Sequence, residues 1–171
     1  FSDLMLDVLL GFLGLYFHDV VGLRETQAAG AVFIWLVTGL LGDFLLIPLL
    51  EKVDGLRYLG WSVLLELLLF PAFLLVPQPW LKLVLVGLLG FFNSGWYAIL
   101  KGRLYSSLPR QSGTVMALDK FTGLVGDLLP FGIGLAADAF GLHVAIWLLL
   151  AGPIALLVGL PRLSASKTIH N

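Results

Sequence analysis

No cysteine occurs in the chain, which excludes a disulfide framework and any thiolate-based metal site. Charge is nearly as scarce. Asp, Glu, Lys and Arg together make up 12% of the 171 residues, against roughly 25% in soluble globular proteins. A chain so short of charge cannot clothe a water-facing surface. The net charge of −1 leaves no basic footprint for phosphate, which excludes nucleic acid as a partner. There is no charged segment ahead of an apolar stretch at the left end, so no signal peptide is read. The chain opens on apolar Phe1 without an initiator Met and is expected to be cut from something longer.

Apolar residues fill the space that charge leaves. They make up 59% of the chain, and the mean hydropathy is +1.00. A bilayer core about 30 Å thick takes roughly 20 apolar residues per helix, and six runs of that order can be read along the chain. They cover about Phe1–Gly22, Glu25–Leu50, Leu56–Val76, Pro79–Leu108, Gln111–Ala139 and Leu142–Leu160. The runs do not alternate with period two, as barrel strands must. The expected fold is therefore an all-α membrane protein of six transmembrane helices spanning residues 1–163, with a polar tail over 164–171. Pro48, Pro71, Pro130 and Pro153 fall inside these helices, where they can kink or hinge them.

Short polar links join the runs, so neighbouring helices are antiparallel. With the Phe1 end on the cytoplasmic side, seven Lys and Arg residues (Lys52, Arg57, Lys101, Arg103, Arg110, Arg162, Lys167) lie cytoplasmic and two (Arg24, Lys82) lie outside. The positive-inside bias then places both ends of the chain in the cytoplasm. A bacterial plasma membrane is the expected location. Trp61, Trp80 and Tyr105 sit near helix ends, at the level of an aromatic belt.

The chain also repeats itself at an offset of 84 residues. Thr38-Gly39-Leu40-Leu41-Gly42-Asp43 returns as Thr122-Gly123-Leu124-Val125-Gly126-Asp127. Gly11 maps to Gly95, Gln27 to Gln111 and Asp54 to Asp138. The repeat unit (about 1–78, then 79–163) holds three helices. An odd number sends the second copy into the membrane from the opposite side, which is an inverted-topology repeat.

Three-plus-three repeats nested in a six-helix unit resemble one half of a major facilitator superfamily transporter. The link Leu49-x-Glu51-Lys52-x-x-Gly55-x-Arg57 resembles that family's acidic–basic–glycine loop, with Glu for Asp, Lys for Arg and the glycine one residue late. Leu104 to Thr114 resembles the link between the tenth and eleventh helices of bacterial members. The resemblance implies the C-terminal half, helices seven to twelve, of a secondary active transporter. Its N-terminal six-helix half would be the partner, besides the lipid bilayer and a small-molecule substrate. The first, second, fourth and fifth helices of a half would line the cavity, and the third and sixth would face lipid.

Polar residues within the apolar runs are the candidate sites, since a charge at the bilayer centre costs about 2.5–3.5 kcal/mol on insertion scales. Asp7, Asn93, Trp96, Tyr97, Asp119 and Lys120 are expected at a substrate or proton site, with Lys120 pairing with Asp7 or with an anionic substrate group. Asp43 and Asp127, each after a Gly-x-x-Gly, and Gly42 and Gly126 are expected to pin helix packing or gating, together with Glu51, Lys52 and Arg57 in the link. Glu66 falls on a helix expected to be peripheral and is not placed at the site. His18 and His143 sit near outer ends without ligand spacing, so no metal is expected, and no cofactor. No clustered nucleophile or acid pair suggests an enzyme. The buried carboxylates point to proton coupling, as symporter or antiporter, with a drug or metabolite exporter as first guess. The alternative is a six-helix channel or structural membrane protein acting as a homodimer.

Overall fold

The computed structural model describes residues 7–107 and 112–165. Every described element is helical. Helix α1 (Leu9–Leu15) runs into a π-helical turn over Tyr16–Val20, which ends at Gly22 with a positive φ of 77°. Helices α2 (Glu25–Leu50) and α3 (Gly55–Leu75) follow. Next come α4 (Pro79–Asn93), α5 (Trp96–Ser107) and α6 (Ser112–Phe140). The chain then continues through a short α7 (Leu142–Ala145), a 3₁₀ stretch (Ile146–Leu150) and α8 (Ala151–Ala165). Among the described residues, four stretches are long and apolar enough to cross a membrane: Glu25–Leu50, Gly55–Leu75, Pro79–Ser106 and Leu142–Gly159. Two further apolar stretches, Leu9–Val20 and Leu128–Phe140, are shorter.

The bounds read for the second helix coincide with those observed, and those for the third lie within a residue of them. Two single runs in the sequence are interrupted in the structure. The Pro79–Leu108 run breaks at Ser94–Gly95, and the Leu142–Leu160 run tightens to 3₁₀ geometry over Ile146–Leu150. The second interruption has a local cause. Pro153 offers no N–H to the carbonyl of Leu149 and its ring crowds that carbonyl, so the turn before it rewinds.

Large apolar side chains cover the outside, among them Phe33, Leu40, Phe44, Ile47, Leu68 and Phe131. Such a surface suits lipid tails, which gain nothing by driving helices together. Close packing and internal hydrogen bonds must do that instead. The contact of α2 with α4 is the most extensive in the chain, and it is built on missing side chains. A Cβ at Gly90 would stand 2.7 Å from the Trp35 carbonyl oxygen, and one at Gly42 would stand 2.6 Å from that of Phe91. Backbone therefore meets backbone where α2 crosses α4. Gly42, expected to pin helix packing or gating, stands at this crossing.

One end of the bundle is held by Lys82. Its side chain is buried rather than lying free in a loop, as the charge count had taken it. The ammonium donates to the Tyr16 hydroxyl at 2.9 Å, to the Phe73 carbonyl at 2.6 Å and to the Leu74 carbonyl at 3.1 Å, and stands over the rings of Tyr16 and Phe73. The Phe73 carbonyl needs this donor. Its helical partner would be residue 77, and Pro77 has no N–H. One lysine so ties the π-turn, the end of α3 and the start of α4 together.

Gly90→Ala should lower stability by about 1–3 kcal/mol through overpacking. Gly30→Ala, where nothing stands within 4 Å, should be neutral or raise it by up to about 1 kcal/mol. Lys82→Met should cost about 1.5–3 kcal/mol by orphaning acceptors bonded to a charged donor. Unfolding of the purified variants in detergent measures all three.

Candidate functional site

The break between α4 and α5 organises the site. Ser94 takes an extended ψ of 143° and Gly95 a positive φ of 74°. A Cβ at Gly95 would overlap Leu46, so no other residue fits this turn against α2. The break falls fifteen residues into α4, about 22 Å along the helix axis. It frees the last carbonyls of α4, and the Ser94 hydroxyl takes one of them by donating to Phe91 O at 2.8 Å.

Beside the break lies an open cavity of about 370 Å³. Asp7 and Leu10 line it from the α1 end, Trp35, Gly39 and Asp43 from α2, and Ser94, Gly95 and Tyr97 from the break. Two carboxyl groups and a phenol hydroxyl thus share one concave surface of otherwise apolar walls. Tyr97 is held by Lys101, whose ammonium donates to its hydroxyl at 2.6 Å and lies 4.8 Å from its ring centre. The cavity can hold a small molecule and offer it carboxylates, a hydroxyl and an aromatic edge.

On the opposite side of the break the chain is dry. Asn93 and Glu66 are both 0% exposed, and Asn93 Nδ2 donates to Glu66 Oε1 at 2.9 Å. Trp96 Nε1 donates to Ser62 Oγ at 2.8 Å, and Ser62 in turn donates to the Leu59 carbonyl.

The residues read from the sequence distribute unevenly over this arrangement. Asp7 and Tyr97 line the cavity, and so does Asp43, which was expected to serve packing or gating. Asn93 and Trp96 do not join Tyr97 in one aromatic–polar patch. The break turns them onto α3, where both are buried. Glu66, left out of the site and expected on a lipid-facing helix, points into the bundle at its middle. The pattern that could have revealed it is Asn93-Ser94-Gly95: a polar, small, turn-forming triplet inside an apolar run breaks a helix, and a freed Asn needs a buried partner. Lys120 is exposed on α6, and the side chains of Asp119 and Asp127 lie outside the described ones. Glu51, Lys52 and Arg57 are exposed around the α2–α3 link, where Asp54 caps α3 by accepting from Leu56 N at 3.0 Å. Gly126 is half-buried on α6. His18 is exposed beside Asp19, to which it is bonded at 2.6 Å.

No family model, curated protein or solved structure matches the chain.

The absence of cysteine makes accessibility directly measurable. A water-soluble thiol reagent should label Asp43→Cys and Tyr97→Cys readily and leave Asn93→Cys unlabelled until the protein is denatured. Equal labelling at positions 43 and 93 would contradict the division into a wet cavity and a dry interface.

Proposed function

We propose that this chain is the C-terminal six-helix half of a secondary active transporter of the major facilitator kind, moving a small solute by alternating access. The observation that carries the reading is the cavity at the helix break, where Asp7, Asp43 and Tyr97 converge on a space of molecular size. Discontinuous helices near the bilayer midplane are where secondary transporters bind solute and coupling ions, because unwound backbone is tolerated there only if it lines a cavity or is buried in protein. The walls come from the first, second and fourth apolar runs, in keeping with the lining expected of one half of such a transporter. The Thr-Gly-Leu-x-Gly-Asp repeat supports six spans arranged as two inverted sets of three. The distribution of Lys and Arg supports both ends in the cytoplasm of a bacterial cell.

In this reading the cavity is one wall of the solute path and the N-terminal half supplies the other. Protons are the coupling ion, and a drug or metabolite exporter is the favoured kind. Lys120 approaches Asp7 across helices during the cycle.

The test is solute flux. Expressed within its whole reading frame and reconstituted into liposomes, the protein should accumulate solute against a gradient. Asp7→Asn and Asp43→Asn should each lower initial uptake roughly tenfold or more, the effect of losing one charge-assisted bond. Glu25→Gln, in the exposed first turn of α2, should retain uptake. Recovery of transport in the double variant Asp7→Asn with Lys120→Ala, after loss in each single one, would establish their pairing. Passive flux through the chain alone would instead mark a six-helix channel dimer.

A further inference from the structure

We propose that Glu66 and Asn93 form a proton-binding site, in which a carboxylic acid and a carboxamide close into a ring through two hydrogen bonds. Half of that ring is present in the structure, as the bond from Asn93 Nδ2 to Glu66 Oε1 at 2.9 Å. The other two polar atoms of the same pair, Glu66 Oε2 and Asn93 Oδ1, are buried without a partner. Both are acceptors when the carboxyl is ionised. Two buried orphan acceptors on adjoining groups are a rare and costly arrangement. A single proton bound at Oε2 turns that oxygen into a donor aimed at Oδ1 and satisfies both at once. Reversing the amide brings no relief, because Nδ2 would then face Oε2 and the two orphaned acceptors would be Oδ1 and Oε1.

The surroundings favour a neutral acid over an anion. Among the described residues no cation stands against Glu66. From α4 it meets Asn93, and Lys82 of the same helix lies eleven residues off, about 16 Å along the axis, engaged at one end of the bundle. From α5 comes Trp96, whose N–H is taken by Ser62. From α8 come Leu156 and Leu157, packed on the cluster of Leu59, Val63 and Trp96. On α3 itself Tyr58, eight positions away, is the nearest titratable group. A carboxylate placed here would be buried at the middle of an apolar span with a single donor and no counter-charge.

The site also adjoins the cavity. Asn93 is followed directly by Ser94, which lines it. A proton leaving Oε2 therefore departs beside the open cavity, and its departure removes one of the two bonds joining Glu66 to Asn93.

Infrared spectroscopy of the purified full chain in lipid nanodiscs tests this without any solute. Glu25, Glu51 and Glu66 are the only glutamates, and the first two are exposed. At neutral pH the wild type should show the C=O stretch of a protonated carboxyl that moves when glutamate is isotopically labelled at its carboxyl carbon. Glu66→Gln should abolish the band, and Asn93→Ala should shift it by removing the amide donor. The labelled wild type identifies the band even where Glu66→Gln does not fold. No label-sensitive protonated band at neutral pH, or a band untouched by Asn93→Ala, would overturn the site. Because no flux is read, that failure is separate from failure of the transport reading, which liposome uptake alone decides.

Discussion

Inside a bilayer, a backbone carbonyl or side-chain hydroxyl that loses its helical partner finds no water to replace it. Much of what is unusual in this structure answers that constraint. Pro77 withholds an N–H from Phe73, and the ammonium of Lys82 supplies a donor in its place. The break at Ser94–Gly95 strips donors from the end of α4, and the Ser94 hydroxyl turns back to Phe91. Thr38 folds its hydroxyl onto the Ile34 and Trp35 carbonyls of its own helix, which lets α2 approach α4 without exposing a polar group. The Trp96 indole finds Ser62 rather than solvent. Each departure from regular helix comes with a side chain of the right reach and sign within the same few turns.

The glycine contact between α2 and α4 makes the break useful rather than merely tolerable. Gly42 and Gly90 bring two backbones together, and Gly95 lets the chain turn where Leu46 fills the space. Bulkier residues at any of the three would push α2 away and open a gap at the level of Asp43. With them in place, the break directs Asn93 and Trp96 into the bundle and Tyr97 outward to the cavity. A shift of about 100° per residue does not by itself separate positions 93 and 97, which would share a face in an unbroken helix. The two intervening non-helical residues redirect them.

The sequence was informative about length, composition and charge. Those quantities depend on the solvent around a helix, and a bilayer leaves a strong mark on them. The run Glu25–Leu50 could be bounded to the residue because charged Arg24-Glu25 and Glu51-Lys52 flank it. The site was harder to read. Helical spacing placed Asn93, Trp96 and Tyr97 on neighbouring faces, which holds only while the helix is continuous. Ser94-Gly95 cancels that spacing, and the significance of the pair depends on Leu46 and Gly42 of another helix. The orientation of Glu66 was hard to read for a related reason. Its face is chosen by a partner, Asn93, that is 27 positions away, and an apolar run gives no amphipathic stripe from which to infer orientation. Lys82 looked like a loop charge because its three acceptors come from tertiary packing and from a proline's missing hydrogen.

The two sides of the break set different terms for a carboxyl group. Asp7 and Asp43 line an open cavity, which on the transport reading is reached by water, so that a charge there is solvated and can meet a cation, an amine or a basic side chain. Glu66 faces an amide and hydrocarbon, where a charge is not solvated at all. In a transporter that alternates between two states, a group coupling proton to solute has to be shielded from water in one state and reached by it in the other. A carboxyl fixed permanently in the wet cavity could bind solute but would not sense the state of the helices. One held between α3 and a helix broken beside the cavity would sense any movement of that break. On the transport reading, solute binding at Asp43 and proton binding at Glu66 are therefore linked through the same three residues, Asn93 to Gly95. That common hinge, rather than direct contact between the carboxyls, is where the coupling free energy would reside.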